Sequence, residues 1–301
     1  MQHLININQF SQAELTAILD KAQQFVDSAA HIEDAPALTG KTVANLFFEN
    51  STRTLCSFEL AAKKLSAHVL NLNVSTSSTQ KGETVLDTIA TIEAMGVDVF
   101  VVRHGDDGIM QVIAEYLGDK AHVVNAGEGS ASHPTQALLD LLTIRQHKLD
   151  FKNLSIAIVG DILHSRVARS QIAALKIMGV KDIRVIAPQT LLPEDVIEQG
   201  VKIYSDFNEG IKDVDVVSML RIQHERMISD LIPNKEVYFN EYALTQQRLA
   251  YAKPDAIVMH PGPMNREVEI ASDVADGEQS VILQQVKNGV AVRMAVLSLL
   301  K

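Results

Sequence analysis

Short apolar runs alternate with segments of helical periodicity along almost all of the 301 residues of this chain. That alternation is the strongest constraint on its fold, because strands separated by helices pack as parallel sheets with helices on their faces. Runs at 43–48, 68–73, 98–103 and 123–125 read as strands, and segments near 53–65, 84–95 and 108–117 read as helices. Ser11 with Glu14 forms a capping-box pattern, and Leu15, Ile18, Leu19, Ala22, Phe25 and Val26 then recur at helical spacing. A second set of apolar runs, at 155–159, 183–186, 214–219, 237–239 and 256–259, is expected to form further strands. The end, "SVILQQVKNGVAVRMAVLSLL", reads as two helices broken at Asn288 and Gly289.

The expected fold is therefore α/β, with two domains that are each a mostly parallel sheet flanked by helices. Their boundaries are expected at 1–133 and 134–289, with a terminal helix at 290–301 packing back on the first. At 47% hydrophobic and 21% charged residues, a chain of this length can bury two cores. The helix begun by Pro134 in "HPTQALLDLLTIRQH" is expected to bridge them. Ligands of such sheets sit beyond the carboxyl ends of the strands, so the active site is expected in the interdomain cleft.

Charge narrows the ligand class. With 27 basic against 37 acidic residues the net charge is -10, so neither nucleic acid nor an anionic membrane is expected as the main partner. Any anion must be captured by a few local cations. The single cysteine, Cys56, excludes an internal disulfide framework. "MQHLININQF" lacks the basic and apolar blocks of a secretory signal, and no apolar run approaches a membrane span. A soluble cytoplasmic protein is expected.

Polar clusters fall where strands give way to helices. In "FFENSTRTLCSFEL", Ser51, Thr52, Arg53 and Thr54 bring hydroxyls, a guanidinium and helix N-terminal N–H groups to one place, a geometry that suits phosphate. A plain helix cap with a surface arginine gives the same string. "STSSTQKGETV" is a polar loop holding Ser77 and Lys81, and Arg103 closes the strand of "VVRHGDDG". His133 and Gln136 flank a helix start, where an imidazole could polarise a carbonyl and a carboxamide could recognise an amide. Arg166 and the pair Arg221 and Gln223 follow two later strands and suit a ligand with two carboxylates. Pro261 and Pro263 stiffen the turn of "MHPGPMNR". No HExxH or Cys/His cluster calls for zinc, and neither metal nor cofactor is expected.

The strings "STRT", "KGET", "VRH", "HPTQALLD", "LRIQHER" and "HPGPMNR", in this order, resemble the aspartate/ornithine transcarbamoylase family along essentially the whole chain. The resemblance implies transfer of the carbamoyl group of carbamoyl phosphate to the amino group of L-aspartate, giving N-carbamoyl-L-aspartate and phosphate in pyrimidine biosynthesis. It assigns carbamoyl phosphate to the first domain and aspartate to the second. Ser51, Thr52, Arg53 and Thr54 would bind the phosphate, with Arg103 bridging to the carbonyl oxygen and His133 donating to that oxygen. Gln136 and the Pro261 carbonyl would hold the carbamoyl nitrogen beside Gly262. Many relatives are expected to carry a larger residue at position 262, so only backbone contacts carry over there. Arg166, Arg221 and Gln223 would bind the aspartate carboxylates. Ser77 and Lys81 would enter from a neighbouring subunit of a homotrimer, Ser77 toward carbamoyl phosphate and Lys81 also toward aspartate. The implied catalytic set is Arg53, Thr54, Lys81, Arg103 and His133. Regulatory chains or another pyrimidine enzyme are possible further partners.

Two rival readings have their own signals. An ornithine-using enzyme needs an acidic or polar partner for a cationic side chain, where this chain offers Arg221, Gln223 and "HPGP". A nucleotide-dependent dehydrogenase is suggested by "SIAIVGDILHSR", which lacks a complete G-x-G-x-x-G fingerprint. A non-catalytic sensor of phosphorylated metabolites could use the same scaffold.

Overall fold

A computed structural model describes residues 1–28, 36–73, 83–197, 200–222 and 235–301. It divides into two compact units, 1–142 with 286–301, and 143–285. The division falls inside the helix that starts at Pro134, and the end of the chain belongs to the first unit.

The first unit opens with α1 (Gln12–Asp27), where Ser11 Oγ accepts from the Glu14 amide at 3.3 Å and the Glu14 carboxylate accepts from the Ser11 amide at 2.8 Å. The strands are β1 (Thr42–Phe47), β2 (His68–Asn73), β3 (Val99–His104) and β4 (His122–Glu128). Between them lie α2 (Thr52–Lys64), α3 (Val85–Glu93) and α4 (Ile109–Leu117), and α5 (Pro134–His147) follows. The sheet order is β2-β1-β3-β4, parallel throughout. Apolar residues of β1, β3 and β4, including Leu46, Phe100 and Val123, pack against Met110, Ile113 and Leu117 of α4. Helical periodicity thus turns one face of α4 onto the sheet.

The second unit contains β5 (Ser155–Val159), α6 (Arg166–Ile177), β6 (Asp182–Ile186), α7 (Glu194–Ile197), β7 (Lys202–Tyr204), α8 (Phe207–Ile211) and β8 (Val216–Met219). It continues with α9 (Lys235–Tyr242), α10 (Gln246–Leu249), β9 (Ile257–Met259) and α11 (Ser272–Ala275). Its five strands lie in the order β7-β6-β5-β8-β9, again all parallel. Both sheets match the α/β expectation.

Two expectations are corrected. The apolar triplet at 237–239 lies in helix α9, not in a strand. Tyr238 is its fully buried member, and the ring stacks at 5.5 Å on Tyr242, four residues along, which is helical spacing. The second correction concerns α12 (Ile282–Ser298), which runs unbroken through Asn288 and Gly289. Glycine inside a helix costs about 1 kcal/mol relative to alanine. Here it makes room, because a Cβ at position 289 would lie 2.6 Å from a guanidinium nitrogen of Arg293.

Candidate functional site

The first unit gathers its candidates at the carboxyl edge of three adjacent strands. Ser51, Thr52, Arg53 and Thr54 follow β1, Arg103 is the second-to-last residue of β3, and His133 follows β4. Phe47 is in register with Arg103, and the Phe48 amide donates to the Arg103 carbonyl at 2.9 Å, so the first two candidates are locked side by side. Ser51 is extended, with φ -160°, and its hydroxyl does not cap α2. No acidic residue occupies the first turn of that helix. Its amide groups and the positive end of its dipole are therefore disposed toward an anion. Thr52 and Arg53 are exposed, whereas Thr54 is buried.

Arg103 is held rather than mobile. One of its terminal nitrogens donates to the Ala126 carbonyl at 3.2 Å, and its Nε lies 3.4 Å from a carboxylate oxygen of Glu49. The buried His133 supplies the carbonyl that accepts from the amides of Gln136 and Ala137, at 3.1 and 3.3 Å, and so begins α5. Gln136 donates its Nε2 to Asp140 at 2.9 Å, which presents its carboxamide oxygen as the group able to accept from an amide N–H.

The loop that delivers His133 is organised by residues that sequence reasoning missed. Asp107 accepts from the amides of Ser130 and Ala131, at 2.9 and 3.1 Å. Glu128 accepts from the Met110 amide at 2.9 Å, and burial pushes its carboxyl above the usual range. The only signal for Asp107 was the acidic pair in "HGDDG", which is common in surface turns, and Glu128 stands as a lone acid in the Gly-rich "AGEGSASH".

The second unit repeats the arrangement. Arg166, Arg221 and Pro261 follow β5, β8 and β9, three neighbouring strands, at their carboxyl ends. Arg166 is buried and opens α6, whose cap Ser165 accepts from the Ala168 amide at 3.1 Å. Arg221 is half-buried. Gly262 has φ 62°, in the left-handed region that favours glycine, and a cis peptide joins it to Pro263.

The Pro261 turn rests on a buried framework that the sequence reading did not reach. His260 Nδ1 accepts from the Gly262 amide at 2.8 Å, which places its proton on Nε2, 3.2 Å from the wholly buried Glu269. The His260 amide donates to Gln285 at 2.9 Å, and the Glu269 carboxylate also receives the Asn265 amide. A histidine beside proline gives no hint of a carboxylate nine positions on. Ser77, Lys81 and Gln223 lie outside the described residues.

Residues 2–146 match the family model described as aspartate/ornithine carbamoyltransferase, carbamoyl-P binding domain, and residues 152–300 match the Asp/Orn binding domain of the same family. Among solved structures, aspartate transcarbamoylase from Trypanosoma cruzi in complex with carbamoyl phosphate and aspartate superposes with a TM-score of 0.89 at 31% identity, over 99% of this chain and 96% of that one. The same protein in complex with N-(phosphonacetyl)-L-aspartic acid gives 0.88 at 31% identity, over 99% and 95%. Its complex with carbamoyl aspartate and phosphate likewise gives 0.88 at 31%, over 99% and 95%.

Proposed function

Because the chain belongs to the aspartate/ornithine carbamoyltransferase family, we infer that it transfers the carbamoyl group of carbamoyl phosphate to the amino group of L-aspartate. The products are N-carbamoyl-L-aspartate and phosphate, a step of pyrimidine biosynthesis. The observation that carries the choice of acceptor is the pair Arg166 and Arg221 at the ends of neighbouring strands. Two guanidiniums suit two carboxylates, whereas the ammonium of ornithine would be repelled.

In this reading Ser51, Thr52, Arg53 and Thr54 bind the phosphate, and Arg103 and His133 bind the carbonyl oxygen. Gln136 and the Pro261 carbonyl accept from the carbamoyl nitrogen, with Gly262 beside them. Arg166, Arg221 and Gln223 hold the aspartate carboxylates. The deprotonated amine attacks the carbamoyl carbon, negative charge collects on the carbonyl oxygen, and collapse breaks the carbon–oxygen bond to phosphate, which leaves with the proton given up by the amine nitrogen. Arg103 and His133 stabilise that charge with donors already in place, and both ligands react as held neighbours. The cytoplasm is the compartment that fits this chemistry.

The working unit in this reading is a homotrimer in which Ser77 and Lys81 complete the site of an adjacent subunit. Supporting it, Leu70 and Leu72 project from one face of the edge strand β2 and are 42% and 39% exposed, just before the segment that carries Ser77 and Lys81. Regulatory chains or another pyrimidine enzyme are compatible additions.

The direct test is calorimetry with N-(phosphonacetyl)-L-aspartic acid, which joins a phosphonate to a dicarboxylate. It is expected to bind at least about 100-fold more tightly than aspartate, since one molecule fills both half-sites without the cost of assembling two. Binding no tighter than aspartate would contradict a two-ligand site.

A further inference from the structure

Arg293 projects from α12 into the interior of the first unit and is only 4% exposed. Its Nη1 donates to the Gly289 carbonyl at 3.0 Å, its Nη2 lies 3.5 Å from Thr135 Oγ1, and its guanidinium carbon sits 5.0 Å from the centre of the Phe58 ring. Its Nε has no hydrogen-bond partner among the described residues. None of these neighbours carries a negative charge. Burial lowers its pKa to about 10, which leaves it cationic at neutral pH. A buried cation without a counter-charge is costly to the folded state, and a glycine inside a helix adds to that cost.

The neighbours of this charge suggest what offsets the cost. Phe58 lies in α2 one turn beyond Thr54, and Thr135 lies in the first turn of α5 between His133 and Gln136. Arg293 therefore touches both helices whose first turns carry the candidate groups for the phosphate and the carbonyl. We propose that Arg293 is a positioning residue for carbamoyl phosphate, tying the start of α2 to the start of α5 and relying on the bound phosphoryl dianion for its counter-charge. This rests on the reading of those two helix starts as the phosphate half-site. The planar guanidinium serves the packing role, by stacking on Phe58 and reaching Thr135, and the fixed charge serves the electrostatic one.

The two roles and a merely structural one separate in experiment. Full-length wild type, Arg293→Met and Arg293→Lys are compared by calorimetric titration with inorganic phosphate, by thermal unfolding without ligand, and by saturation kinetics. Arg293→Met is expected to unfold at the wild-type temperature or above it, because an uncompensated charge has been removed. It is also expected to bind phosphate about tenfold more weakly and to raise the KM for carbamoyl phosphate by a similar factor. Arg293→Lys is expected to recover most of the phosphate affinity. If wild type binds phosphate and Arg293→Met binds it equally well, the inference fails while the half-site stands. An Arg293→Met variant that fails to fold, or melts well below wild type, also contradicts it. Should wild type itself bind no phosphate, the half-site reading fails and this inference with it.

Discussion

The carbonyl oxygen of Leu220 lies 2.8 Å from where a Cβ on Gly160 would stand, and Gly160 has φ 125°. The Leu220 amide in turn donates to the Val159 carbonyl at 2.7 Å. The ends of β5 and β8 are thus pressed together just before the segments carrying Arg166 and Arg221. Only a residue without a side chain permits that approach.

Gly160→Ala is accordingly expected to cost about 1–3 kcal/mol of stability in urea unfolding. It should also raise the KM for aspartate while phosphate binding, which involves the other unit, stays near wild type. An unchanged aspartate KM would separate the glycine contact from the placement of the two arginines.

Arg221→Ala should impair aspartate use and largely spare carbamoyl phosphate binding, and Arg53→Ala should do the reverse. Loss of one desolvated, charge-assisted contact is expected to cost roughly 2–5 kcal/mol for the affected ligand. Titration of each variant with each substrate measures this, with circular dichroism to verify the fold. Equal loss of both substrates in the Arg221 variant would count against the assignment.

The alternation of strands and helices, and with it both sheets, was legible because most of the parallel strands are short and carry a run of apolar residues. The arginines at 103, 166 and 221 were legible because each lies at the end of such a run or in the loop that follows it. β7 was not, since Lys202, Ile203 and Tyr204 form no apolar run and lie on a sheet edge. Nor was the continuity of α12, where the role of Gly289 depends on a guanidinium one turn away. The pairing of His260 with Glu269 escaped for a similar reason: two buried polar groups meet in space without any periodic spacing that announces them.

The shared-site proposal is tested by mixing subunits. Arg53→Ala and Lys81→Ala trimers should each be inactive, yet dissociating and reassembling them in equal amounts should restore about a quarter of wild-type activity. Three quarters of randomly formed trimers are mixed, and each holds one site in three with both native residues. Persistent inactivity despite exchange proven by mass spectrometry would place Lys81 within its own subunit's site or outside any site.

Acid should weaken the second unit through Asp182. Burial pushes its carboxyl up, but hydrogen bonds from Arg184, Lys202 and Ser155 outweigh that and hold it well below the usual range. A carboxylate depressed in the folded state adds stability that is fully present above its unfolded value, near 4, and that fades as pH falls below it. Urea midpoints should therefore show Asp182→Asn less stable than wild type at pH 6, with the gap narrowing by up to about 1 kcal/mol at pH 3, less where solvent screens the partly exposed cluster. A gap independent of pH would mean that its ionisation contributes nothing.

The central claim is the identity of the acceptor, and the most direct measurement is the carbon NMR spectrum of the product. Purified protein is supplied with carbamoyl phosphate labelled at the carbonyl carbon, together with equal concentrations of L-aspartate and L-ornithine. The predicted result is a single labelled ureido product, N-carbamoyl-L-aspartate, appearing in step with free phosphate and strongly slowed by Arg221→Ala. Label found in N-carbamoyl-ornithine, or lost only to hydrolysis while aspartate stays unmodified, would contradict it.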